Sequence, residues 1–90
     1  MSTELRQRIQ DAVDTDRLVA TASDLVAIPS PTGLELEAAE YLSGAMQSAG
    51  LDSVLQHVEE GRANAVGRLP GAGEGPSLMF NGHLDTSYSG

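Results

Sequence analysis

The ninety-residue sequence contains no cysteine, no tryptophan and no lysine, and only one phenylalanine. Without cysteine there are no disulfides, no thiolate metal sites and no cysteine nucleophile. That fits a cytoplasmic protein. Without an aromatic complement, the core must be aliphatic, drawn from Leu, Val, Ile, Ala and Met. Positive charge is scarce too: five arginines face thirteen acidic residues, for a formal net charge of −8. Such a surface repels nucleic acid and anionic membranes, so neither is expected as a partner. It attracts cations, metal ions included, although a generic acidic and soluble surface has the same composition. No apolar run approaches the roughly 18 residues of a membrane helix. The charged N-terminus, MSTELRQRIQDAVDTD, has no stretch like a signal peptide. No internal repeat is present. What remains is 40% apolar, enough for a modest core and too much for a disordered chain.

Periodicity supplies the elements. Leu5, Ile9 and Val13 recur every fourth residue, which predicts a first helix from residue 3. DTD at 14–16 restarts it. Asp14 or Thr15 can cap a second piece, and Asp16 complements its dipole. That piece carries Leu18, Val19, Ala22, Leu25 and Val26 on one side. It stops near Ile28, because Ser30 precedes Pro31 and is pushed out of the helical region. IPSPTG reads as a rigid lead-in to the next helix. Thr32 and Glu35 have capping-box spacing, which predicts a helix over about 33–49. Its buried stripe would be Leu34, Ala38, Tyr41, Leu42, Ala45, Met46 and Ala49, with Glu35, Glu37 and Glu40 in water. Gly50 suits a left-handed C-terminal position.

LDSVLQHVEE then alternates as a strand, EGR turns the chain, and ANAVGRL reads as a second strand. PGAGEGP is a flexible loop. SLMFNGH predicts a third strand, whose continuous apolar run suggests burial on both faces. Two or three helices and three strands define an α/β class with a mixed sheet.

The candidate chemistry lies at the end of that third strand. In extended chain, residues i and i+2 share a face, roughly 7 Å apart along the strand. His83 and Asp85 therefore converge on one spot. One ring nitrogen of His83 can bind a metal while Asp85 accepts a hydrogen bond from the other, or both residues can act as ligands. Gly82 leaves room beside them. His57 lies mid-strand and reads as structural or solvated. The Gly-rich loop lacks the Lys, Ser/Thr and following helix of a phosphate cradle. Ser30 and Ser87 lack a serine-nucleophile context.

Three stretches in order, DLVAIPSPTGLELEAAEYL, ANAVGRLPG and LMFNGHLDT, resemble the N-terminal end of the zinc-dependent aminoacylase family. That family includes acetylornithine deacetylase, succinyl-diaminopimelate desuccinylase and carboxypeptidase G. The resemblance runs from Asp16 to Thr86. It implies a metal-dependent hydrolase that cleaves the amide bond of N-acyl amino acids or peptides. Two zinc ions, or cobalt, would activate water, and a glutamate would serve as general base. His83 matches the family's first metal-ligand histidine. Asp85 matches the catalytic aspartate that orients the histidine without touching metal.

The family's bridging aspartate, glutamate base, remaining ligands and last histidine have no match before Gly90. Residues 1–90 are thus expected to be the N-terminal portion of a catalytic domain, inactive alone. The rest of that domain, and the dimerisation domain that would make a homodimer, lie elsewhere. Ser87 and Tyr88 replace the Val-Pro that many members carry after the threonine, which leaves the substrate open. The alternative is a free-standing interaction module without catalysis, pairing through an exposed apolar strand edge.

Overall fold

The computed structural model describes residues 2–87. Helix α1 spans Thr3–Ala12 and α2 spans Thr15–Ala27. Each begins at an extended residue whose side chain satisfies a free amide. Ser2 Oγ accepts from Leu5 N at 3.0 Å, and Asp14 Oδ1 accepts from Arg17 N at 3.0 Å. The DTD restart therefore forms, with Asp14 as its cap. Extended Ile28 ends α2.

Helix α3, Leu36–Ser48, starts three residues later than the capping-box spacing predicts. The box is not made, because both of its side chains have stronger partners elsewhere. Thr32 donates to Asp85 at 2.8 Å. The Glu35 carboxylate takes a two-pronged bond from Arg62, at 3.0 Å from Nε and 2.8 Å from Nη2. Charge-assisted bonds of this kind are about twice as strong as neutral cap bonds. Glu35 is consequently buried rather than solvated, whereas Glu37 and Glu40 do face water. At the other end, Gly50 adopts φ +96° and Leu51 N bonds back to Met46 O at 3.0 Å. A side chain would be strained at that angle.

Strands β1 (Asp52–Glu59) and β2 (Arg62–Arg68) form an antiparallel hairpin, with Leu55 opposite Ala65 and Val54 opposite Val66. Gly61, at φ +77°, makes the turn, and a bulge falls between His57 and Glu59. Alternation sends Ser53, Leu55, Ala63, Ala65 and Gly67 toward α3. Ser43 and Ser53 share a hydrogen bond of 2.7 Å across that layer. Gly67 lies against Met46 and Leu51, and a Cβ there would run into the Met46 sulfur. The buried apolar residues are Ala38, Ala39 and Ala63. Small residues let helix and sheet approach closely. Leu34 and Ala49, expected in the stripe, are exposed.

The mixed three-stranded sheet is corrected: the described residues form only the two-stranded hairpin. Leu78, Met79 and Phe80, expected in a buried strand, are 80%, 84% and 89% exposed. A strand apolar on both sides needs a neighbouring strand and a covering layer on each face, and none of the described residues provides them. The stripes of α1 and α2 form on schedule, but neither helix has a buried residue. No described helix is long and apolar enough to cross a membrane.

Candidate active site

The His83 segment does not stand free. It is fastened to the loop between α2 and α3, more than fifty residues upstream. Buried Ser30 holds it twice: its Oγ donates to Leu84 O at 2.9 Å, and its carbonyl accepts from Thr86 N at 2.8 Å. Pro31 and Thr86 form a parallel bridge. Two prolines fix φ along this loop and limit the conformations it must give up. Leu34 N bonds to Pro31 O at 2.9 Å, closing a turn in which Gly33 takes φ +100°.

Thr32, one residue past this clamp, reaches the site. Its hydroxyl donates to Asp85 Oδ2 at 2.8 Å. The other carboxylate oxygen, Oδ1, lies 2.9 Å from His83 Nδ1, and the Asp85 carbonyl lies 3.1 Å from the same nitrogen. Both neighbours of Nδ1 are acceptors, so Nδ1 carries the hydrogen and donates it. The bond from Thr32, and secondarily the one from His83, holds the Asp85 carboxyl below its ordinary value. The carboxylate stays ionised while it faces the ring. In the neutral ring Nε2 keeps its lone pair, on a side chain that is 84% exposed.

An imidazole backed by a carboxylate is a more basic donor at its far nitrogen. It suits a metal ion or a transferable proton. As a metal centre the site has one donor in hand. No group of three His, Cys, Asp or Glu that could hold a metal occurs among the described residues, whereas a catalytic zinc takes about three protein ligands. His83 fits as one ligand; the described residues do not complete the centre.

The other sequence candidates fall away from this site. His57 is exposed on β1, opposite Ala63. Residues 70–76 are exposed and form no helix or strand. Ser30 is a clamp, its hydroxyl committed to a carbonyl. IPSPTG was expected only to lead into a helix; instead it carries the two hydroxyl side chains that hold the His83 segment. Two hydroxyls flanking a proline are the visible signal, but nothing local assigns their partners.

No family model matches the chain, and no solved structure matches it significantly. Curated relatives do. A Thermococcus kodakarensis protein named as a LysW-lysine/LysW-ornithine hydrolase is 34% identical over 74 residues, covering 82% of this chain and 20% of the relative. A Staphylococcus epidermidis protein named as a succinyl-diaminopimelate desuccinylase is 35% identical over 77 residues, 86% of this chain and 18% of the relative. A carboxypeptidase-named protein of Emericella nidulans is 30% identical over 76 residues, 82% and 18%. The chain spans about a fifth of the length of the curated relatives it matches.

Proposed function

We propose, for a chain that belongs to the aminoacylase family of hydrolases, that His83 is a metal ligand and Asp85 its orienting partner. The reaction is hydrolysis of an amide bond in an N-acyl amino acid or a peptide. Residues 1–90 supply the N-terminal portion of the catalytic domain, and the other ligands and the general base come from further chain. Zinc, or cobalt, is the metal the family resemblance implies, and an imidazole suits either; bound there, it would supply a Lewis acid and an activated water at neutral pH. Each residue present has one task. Asp85 fixes the His83 tautomer and enriches Nε2. Ser30 and the Pro31–Thr86 bridge hold both at the end of the docked segment.

One observation carries this reading: Nδ1 of His83 is occupied by a carboxylate while Nε2 is left open to solvent. The test is amide hydrolysis by the full-length gene product, on a panel of N-acyl amino acids and dipeptides. Activity should be lost with a chelator, restored by zinc or cobalt, and abolished in His83→Ala. Asp85→Asn should retain metal and lose about 10- to 100-fold in turnover, the usual effect of removing a ligand's carboxylate partner. Chelator-resistant hydrolysis, or full activity in His83→Ala, contradicts the proposal.

The reading as an interaction module is favoured by one feature, the exposed run Leu78–Phe80. Size-exclusion chromatography separates the two: a defined complex of the ninety-residue chain supports the module, and a monomer weakens it.

A further inference from the structure

We infer that Thr32 is a positioning residue for the site, acting through Asp85 on the state of the His83 ring. The inference rests on the reading of His83 and Asp85 given above, but it concerns a residue which that reading does not use.

The reasoning begins with the carboxylate. An aspartate side chain two residues from a histidine has rotational freedom, and either oxygen can turn toward the ring or toward water. Here both oxygens have separate jobs. Oδ2 accepts the Thr32 hydroxyl at 2.8 Å, and Oδ1 faces His83 Nδ1 at 2.9 Å. Fixing one oxygen fixes the plane of the carboxylate, and so the direction in which the other points. Thr32 can do this because its own backbone is held. It follows Pro31, which is bridged to Thr86, and it precedes Gly33, whose N–H is bonded to Glu35 Oε1 at 2.7 Å. Glu35 is in turn pinned by Arg62. A chain of hydrogen bonds thus runs from Arg62 through Glu35, the Gly33 amide and Thr32 to Asp85.

Two further facts separate positioning from simple docking. The Ser30 contacts already fasten the segment without Thr32. Moreover, the spacing that makes Thr32 a helix cap in the sequence goes unused in the structure, where its hydroxyl turns to Asp85 instead.

Thr32→Val keeps the shape of the side chain and removes the hydroxyl; Thr32→Ser keeps the hydroxyl. The experiment is nitrogen-15 NMR of the His83 ring at one fixed pH, in the unsubstituted ninety-residue chain and in both variants, without metal. The unsubstituted chain and Thr32→Ser should show His83 with its hydrogen on Nδ1. Thr32→Val should shift the signals toward the Nε2–H form while far-UV circular dichroism stays unchanged. An unchanged ring in a folded Thr32→Val overturns the inference. The unsubstituted chain gives a second check that needs no variant: three-bond couplings should show the Thr32 side chain held in one χ1 rotamer. Rotamer averaging like that of free threonine overturns the inference even if Thr32→Val does not fold. None of these readouts depends on hydrolysis or on metal, so the proposed activity can fail while this stands, and the reverse.

Discussion

Among the described residues, α3 and the β1–β2 hairpin hold every buried apolar side chain, while α1, α2 and the segment after β2 leave theirs exposed or, at Leu25 and Leu84, half-buried. Both regions are patterned and punctuated, and α1 and α2 are the better capped, since α3 has no side-chain cap. What separates them is a partner. The helix and hairpin present small residues to each other, Ala38, Ala39 and Ala63 with Gly67, and close one layer on another. The stripe of α1 and the run Leu78–Phe80 have no such surface within residues 2–87, and α2 meets α3 only at an edge, where Tyr41 donates to Asp24 Oδ2 at 2.7 Å. Forming an element is a local matter; burying it takes a second element. The candidate site lies on the border between the two regions. It is fastened not by apolar packing but by hydrogen bonds from the α2–α3 loop.

That contrast can be broken from the core outward. Ala39 is 0% exposed, so Ala39→Leu should overpack the layer and cost about 1–3 kcal/mol by urea unfolding. Ile9→Ala, on unburied α1, should stay within about 0.5 kcal/mol. Equal losses would mean that α1 is packed in solution. Next is the hairpin turn: Gly61→Ala places a side chain at φ +77° and should cost about 1–2 kcal/mol, read as a lowered melting temperature. Smaller still is the cap: Asp14→Ala should cost about 1 kcal/mol. That loss should appear in hydrogen exchange of α2 and leave hairpin amides unchanged.

The last contrast is in acid. The Arg62 guanidinium beside Glu35 holds its carboxyl below the ordinary 4.5. A group with a lowered folded value contributes stability that is complete above the unfolded value and is lost as pH falls through the folded one. The hairpin and α3 should therefore lose stability as pH drops below 4.5. Arg62→Met should be less stable near neutral pH and should show a flatter acid limb. An equally steep limb in Arg62→Met would remove the pair from the account of α3.

Helix ends were legible where their signals are local: Asp14, Pro31 and Gly50 act within a turn of where they stand, while the Ser2 cap of α1 was not read. The hairpin was legible from alternation and Gly61. The third strand was not, because continuous apolar residues report what a segment needs, not whether a partner is at hand. Thr32 and Glu35 show the opposite failure. Their spacing predicts a reciprocal cap, and each is drawn instead to a charged side chain, Thr32 to one 53 residues away and Glu35 to one 27 away. The pairing of His83 with Asp85 was readable from a two-residue interval. The Ser30 clamp beneath it depends on a long-range contact that no interval encodes.

The two histidines of this sequence offer the sharpest comparison. Both are exposed, but only His83 has Asp85 on its Nδ1. Zinc titrated into the ninety-residue chain, followed by the ring signals of both residues, asks whether that carboxylate makes a ligand. His83 should respond through Nε2, at lower zinc than His57, and lose that advantage in Asp85→Asn. Equal responses from His57 and His83, or a His83 response indifferent to Asp85→Asn, would contradict the assignment.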